Sequence, residues 1–349
     1  VIFASENEEI PFDIFAASFY LLSRYEEYLP AKRDKFGRYL AENSILYELN
    51  IIQKPIVDNW LIRFSEFIQT KYPNFQFPKR KFKFTPTIDI DNAYAFLHKG
   101  FVRTSVSLLR KVLCLQFDYL KQQILVLIGR EPDPYDTFSF MAEIHEKFKI
   151  RPLYFFLVGH YNKYDTNIST RNKYFQQIIK DQLNNAQIGW HPSTKSHIDS
   201  KKLKSEKQFL ENLLQTEINC SRNHFLLLKI PETYESLIEA GILNDYSMGF
   251  SEINGFRAGI SSPFKFYNLK REKEENLTIY PFAFMDATFH YYLKISPEKS
   301  FEEIKKIIDE VKAVEGNLIS LWHNESLSNF RNWKGWKAVY EGMLAYIQK

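Results

Sequence analysis

Glycine is scarce in this chain, with 12 residues in 349. Phosphate cradles are built on glycine-rich turns, and neither GxxxxGK[ST] nor GxGxxG occurs. GxSxG, HExxH and the EF-hand loop are absent too, which removes elbow-type serine hydrolases and zincins along with mononucleotide kinases and dinucleotide dehydrogenases. Cysteine is scarcer still. Cys114 and Cys220 stand far apart with no CxxC, so a zinc knuckle and a disulfide framework are excluded. A reducing compartment is the simpler reading, with one disulfide the only pairing left. Charge of one sign is lacking as well: Lys+Arg 46 against Asp+Glu 42 leaves +4, which predicts no nucleic acid or other polyanion as partner. No stretch offers about 18 uninterrupted apolar residues, so no membrane-spanning helix is expected. No basic–apolar–small-residue leader opens the chain, and a cytoplasmic location is expected. Val1 begins mid-pattern, so other residues can precede it.

What the chain has in quantity is aromatic residues, 31 Phe and 21 Tyr, within 45% hydrophobic and 25% charged composition. That is globular, and it supplies a large packed core. The length suits one large α/β domain with an attachment. The attachment is expected at residues 1–81. Residues 12–29 carry apolar positions at helical spacing until Pro30, and a second helical pattern runs through 57–69. The basic, proline-bearing segment 71–81 reads as the connector. This N-terminal lobe shows no legible chemistry.

From residue 82 the pattern changes. Residues 82–91 alternate, with Phe82, Phe84, Ile88 and Ile90 on one face and Thr85, Thr87, Asp89 and Asp91 on the other. Helical segments then precede apolar strands at 151–160, 187–191, 220–228, 245–250 and 317–323. Repeated helix-then-strand units predict an α/β fold, its largely parallel sheet covered by helices and either open or closed into a barrel. In such folds chemistry collects at the carboxyl ends of the strands. Residues 104–130 interrupt the alternation. The plain reading is a helical insertion packed on the domain. A lid over the site and an interfacial helix making surface contact with a membrane are the sharper ones.

Polar residues stand at those strand ends. Asp89 and Asp91 project from one face, roughly 7 Å apart along it. Two neighbouring carboxylates repel, and a cation or a shifted pKa relieves them. His191 closes one strand, His197 follows six residues on, His323 closes another, and Arg222 opens the segment before NHFLLL. Asp and His converging from separate strand ends form a common donor set for Zn²⁺, Fe²⁺, Mn²⁺ or Co²⁺. Trp190 and Trp322 flank these ends and read either as sugar-stacking platforms or as core.

The segments TIDID, IGWHPSTKSH, SRNH, DYSMGF and LWH occur in the order of the motifs of NodB-type polysaccharide deacetylases. From Phe82 to the C-terminus the chain resembles that carbohydrate esterase family, in a divergent bacterial branch with an N-terminal extension. The resemblance implies a distorted (β/α) barrel at 82–349 and metal-dependent removal of an acetyl group from an N-acetylated sugar. It implies Asp89 as base, and Asp91 and His191 as metal ligands. The family's His-x-x-x-His motif has Lys195 at its second position here, and His197 meets the motif only through a loop longer by two residues. His197 is therefore the expected third ligand. Arg222 matches the Arg of Arg-x-Pro, with His224 where the Pro would be. His323 matches the terminal His as general acid. Asp286 is its expected carboxylate partner, with Asp245 the other candidate. The implied cofactor is a divalent transition metal, Zn²⁺ first and Co²⁺, Mn²⁺, Fe²⁺ or Ni²⁺ as alternatives. The implied partner is a carbohydrate, a polysaccharide or its precursor. Two other functions fit the same motifs: hydrolysis of a non-carbohydrate amide or imide C–N bond, and a catalytically dead carbohydrate-binding module.

Overall fold

The computed structural model describes residues 12–349. Residues 1–11, the opening of the expected N-terminal lobe, lie outside the described residues. The strands are β1 (Lys83–Ile90), β2 (Leu153–Leu157), β3 (Gln187–His191), β4 (Cys220–Ser221), β5 (Asn244–Asp245), β6 (Phe264–Asn268), β7 (Lys273–Ile279), β8 (Phe284–Met285) and β9 (Asn317–His323). They form one nine-stranded sheet in the order β6-β7-β5-β4-β3-β2-β1-β9-β8. Every pairing is parallel except β6 with β7. The sheet is an incomplete barrel: β8 and β6 stand at its two ends and do not pair.

Side-chain alternation gives the strands two different neighbours. Ile88, Ile90, Tyr154, Phe156, Ile188, Trp190, Leu318 and Trp322 point to the helical layer and enter the large core. Leu153, Phe155, Ile319 and Leu321 point to the concave side and pack with Cys220, Leu226, Phe282 and Met285. Both faces of β2 are buried, which is why LYFFL is a continuous apolar run. Helices α6 (Phe138–Lys147), α7 (Lys173–Asp181), α8 (Ser200–Leu214), α9 (Glu232–Glu239), α10 (Pro297–Ala313) and α11 (Trp336–Ile347) complete the domain, after five earlier helices given below. Asp199 caps α8 by accepting from the backbone N–H of Lys201 and Lys202, and Ser296 caps α10 ahead of Pro297.

The expected strands at 220–228 and 245–250 shrink to two residues each. Phe225 and Leu226 take positive φ, 58° and 52°, and end any extended run after Ser221. The antiparallel hairpin β6–β7 has no counterpart in the expected alternation.

Before the sheet come α1 (Ile14–Leu22), α2 (Ile45–Glu48) and α3 (Ile56–Lys71). Among the described residues no strand of the sheet precedes Lys83. α1 and α3 meet through Phe15 against Phe64. Leu21, Tyr39, Leu46, Ile52 and Val57 belong to the same apolar cluster as Ile88 and Trp190. Buried polar pairs fix the position. Glu27 takes both Nε and Nη2 of Arg257 at 2.9 and 2.6 Å, and Asp58 accepts from the backbone N–H and hydroxyl of Ser261, both at 2.8 Å. Gly255 allows the close approach: a Cβ there would stand 2.4 Å from the carbonyl oxygen of Ile52.

Residues 104–130 are mostly helical, in α4 (Phe101–Leu113) and α5 (Phe117–Leu127). The turn between them carries Leu115 at φ 53°.

Candidate metal and catalytic centre

Parallel register sets the site. Asp89 lies opposite Phe155 on β2 and opposite His323 on β9, while His191 pairs with Leu157. The carboxyl ends of β1, β3 and β9 therefore end at one level. The period of two places Asp89, His191 and His323 on the concave side, above the smaller apolar cluster. Asp91 follows β1, and Arg222 and His224 follow β4.

Three side chains converge. One ligand atom each from Asp91, His191 and His224 lies within 4.8 Å of the other two. His191 Nε2 stands 3.2 Å from Asp91 Oδ1, and His224 Nε2 stands 3.4 Å from Asp91 Oδ2. The other ring nitrogens are already committed. His191 Nδ1 donates to the carbonyl of Arg222, and His224 Nδ1 donates to Asp165 Oδ1 at 2.7 Å. A carbonyl and a carboxylate only accept, so each Nδ1 carries the proton, and a neutral ring aims a lone pair at Asp91 from Nε2. Asp91 Oδ1 is shut from solvent and has no hydrogen-bond partner. Lone pairs facing each other at such distances need a positive centre between them. Ligand atoms about 2.1 Å from a cation at tetrahedral angles stand about 3.4 Å apart, so this donor set fits a divalent transition metal. Without one, a proton takes that role. Burial opposes the charge on His224, but Asp91 and Asp165 outweigh it and raise its pKa to about 9. Burial likewise opposes charge on Asp91, and the two imidazoles hold its carboxyl well below the usual range.

Two further pairs flank the triad. Arg222 Nη1 donates to Asp89 Oδ1 at 2.9 Å, leaving Oδ2 3.7 Å from His191 Nε2. The guanidinium lies over the Phe155 ring at 4.6 Å. That ring occupies the space a Cβ on Gly189 would need, 2.5 Å from the nearest ring carbon. On the other side, His323 Nδ1 donates to Asp286 Oδ1 at 2.7 Å, and the His323 backbone N–H donates to Oδ2 at 2.8 Å. Burial lowers the His323 pKa, but Asp286 more than compensates and it rises to about 10. Glu325 stands half-buried beside these groups. Burial first, then Asp91 and Asp286, raise its carboxyl to about 7.

The structure brings together Asp89, Asp91, His191, Arg222, Asp286 and His323. It does not bring His197. The third donor is His224, and the loop explains the exchange. After His191, Ser193 is held by Glu206 through its backbone N–H at 3.0 Å and its hydroxyl at 2.6 Å, and Thr194 Oγ1 donates to Asp165 at 2.6 Å. These bonds pin PSTKS to α8 and to the loop after β2. His197 sits in the short turn Ser196–Ile198 outside the cluster, and burial and Lys229 lower its pKa. Asp165 serves both loops, since the carboxylate that takes Thr194 also orients His224. Asp245 bonds Ser221 and Ser247 rather than a histidine.

Trp190 and Trp322 are fully buried, and Trp322 packs on Trp336 and Tyr340. Neither is available to a sugar. The aromatic groups at the cleft are Tyr291, Tyr292, Phe225 and Trp333. Tyr291 and Tyr292 lie on the short π-helix Thr288–Leu293 just after Asp286. The N-terminal region reaches the cleft through Arg38, which donates to the Phe225 carbonyl and the Tyr292 hydroxyl, both at 3.0 Å. Sequence reasoning missed His224, Asp165, Glu325, Arg38 and these tyrosines. Of these only His224 carried a signal, in its place two residues after Arg222.

A family described only as a family of unknown function (DUF7033) matches residues 1–73. No curated protein matches the chain. Among solved structures it is similar to a Mycobacterium smegmatis protein assigned to the polysaccharide deacetylases, at 13% identity and TM-score 0.48, covering 78% of this chain and 85% of that one. It is similar to a polysaccharide deacetylase from Bacillus cereus at 10% identity and TM-score 0.39, covering 77% and 88%. A CE4 family pseudoenzyme from Bacillus anthracis gives 10% identity and TM-score 0.37, covering 75% and 60%. Fold does not fix a reaction, and the case for one rests on the side chains described above.

Proposed function

We propose that this protein is a metal-dependent hydrolase that removes an acetyl group from an N-acetylated sugar of a polysaccharide or its precursor. One observation carries the reading. Asp91, His191 and His224 aim unshared donor atoms at one point, with Asp89–Arg222 on one side of it and His323–Asp286 on the other. Asp91, His191 and His224 would hold a divalent cation. When bound, such a cation lowers the pKa of water and polarises a carbonyl oxygen.

The chain's own residues supply the proton movements. Asp89 accepts the proton of the attacking water at Oδ2, because Oδ1 is engaged by Arg222. Arg222 fixes the plane of that carboxyl through this charge-assisted bond. His323, kept protonated by Asp286, faces the centre with Nε2, 3.9 Å from Asp91 Oδ2, and gives its proton to the leaving nitrogen. Water and amide are consumed, and acetate and the free amine are formed. Tyr291 and Tyr292, half exposed at the rim, offer ring faces to a sugar. The test is acetate release from N-acetylglucosamine oligomers by metal-loaded protein, compared with the Asp89→Asn variant. The reading expects release by the parent and none by the variant while metal stays bound. Equal metal loss in D89N and D91N would contradict the division of roles.

A further inference from the structure

Helix α4 is inside out. One polar face turns to the protein: Lys111 Nζ donates to Ser107 and Gln123 at 2.7 and 2.5 Å, and Arg103 donates to the carbonyls of Asn167 and Thr166 at 2.9 and 2.8 Å. Its apolar residues face outward. Phe101, Val102, Val106, Leu109 and Leu113 fall within one stripe at helical spacing, and all are exposed, Phe101 by 87%. α5 continues the surface with exposed Phe117 and Ile124, and Ile128 just past its end is exposed as well. A helix in a globular protein normally turns such a stripe to the core, so this one is kept for something outside.

The charge of the same segment identifies the kind of partner. Residues 101–130 hold five Lys and Arg against the single Asp118, a net of +4 and equal to that of the whole chain. The remainder is neutral. Arg110, Lys121 and Arg130 are exposed beside the apolar stripe. An apolar face bordered by cations matches the acyl boundary and anionic headgroups of a bilayer. A second copy seated on the same face would set like charge against like charge. No helix among the described residues is long and apolar enough to cross a membrane.

We propose that the α4–α5 hairpin docks this protein on the surface of an anionic lipid bilayer, apolar stripe inserted and Arg110, Lys121 and Arg130 among the headgroups. The docked face adjoins the catalytic cleft. Glu325 lines that cleft, and it also lines the groove bounded by Val102, Val106 and Arg110. Docking would therefore hold the site close to the membrane. The inference does not depend on the reaction proposed above.

The experiment is co-sedimentation of the full chain with vesicles of equimolar phosphatidylcholine and phosphatidylglycerol, and with pure phosphatidylcholine, in about 0.1 M salt. Cys114 is exposed at the end of α4 whereas Cys220 is buried, so a polarity-sensitive dye on Cys114 reports insertion directly. Expected are binding to the anionic vesicles, a blue shift of the dye, weaker binding in about 0.5 M salt, and a loss of roughly tenfold or more in L109E/L113E. If that variant fails to fold, R110E/K121E replaces it and should lose anionic-vesicle binding alone. The proposal is overturned if neither vesicle is bound, if neutral vesicles bind equally well, or if the variants bind like the parent. A solution dimer that L109E/L113E dissolves, without vesicle binding, would assign the face to a second copy instead.

Discussion

Replacing His224 with alanine separates the site observed here from the one its motifs imply. In the structure His224 supplies one of three convergent donors, and Asp165 holds its ring in the tautomer that frees Nε2. Structural zinc sites with four protein ligands bind with roughly 10–16 kcal/mol, or about 3–4 kcal/mol per ligand. Losing one ligand should then weaken binding by about two to three powers of ten. D165N keeps all three donors but replaces the carboxylate that orients His224 with a neutral amide, and should cost about 10- to 100-fold. H197A should cost nothing, since His197 lies outside the cluster. Competition against a chelator of known affinity, at one pH and with circular dichroism to confirm folding, measures all three. An H197A defect as large as that of H224A would refute the assignment, and so would an H224A protein that binds metal like the parent.

Three other expectations concern the shell and the attachment. H323Q should lower turnover by about 10²- to 10⁴-fold with metal affinity unchanged, because His323 is read as proton donor and not as ligand; turnover within twofold of the parent, or loss of metal, speaks against that role. Gly189→Ala pushes a methyl group into the Phe155 ring that supports Arg222. It should cost about 1–3 kcal/mol of stability on denaturant unfolding, and turnover as well, so unchanged values of both would remove that chain of contacts from the account. E27Q leaves Arg257 buried and short of its charge partner, a loss of about 3–5 kcal/mol near neutral pH. Burial opposes the Glu27 charge but Arg257 and Arg24 outweigh it and lower its pKa, so the contribution is present above the unfolded value near 4.3 and fades as pH falls through the folded one. Melting curves of parent and E27Q should converge in acid; a constant gap from neutral pH down to about pH 3 would contradict this.

The strand ends were legible because their chemistry is local. Alternation in 82–91 set Asp89 and Asp91 on the concave side, and apolar runs ending in His191 and His323 marked two more ends of a parallel sheet. The third donor was not legible in the same way. His197 lies near His191 in sequence, but bonds from Glu206 and Asp165 fold the loop aside, and those partners are distant in the chain. His224 instead reaches the centre from a strand only two residues long, ended by two residues of positive φ that no spacing rule anticipates. The β6–β7 hairpin was obscured by the charged Lys273, Glu274 and Glu275 at its edge. Of the two readings of Trp190 and Trp322, core is the one observed, because both fall on the helical side of their strands, one residue out of phase with His191 and His323.

The proposed reaction is hydrolysis of an acetamide at the centre formed by Asp91, His191 and His224, with Asp89 as base. The most direct measurement combines metal content with acetate release on N-acetylglucosamine oligomers, for parent and D89N side by side. The account predicts about one divalent ion per chain in both proteins, with acetate released only by the parent. A parent protein that retains no ion, or a fully loaded one that releases no acetate from any N-acetylated sugar offered, would contradict it.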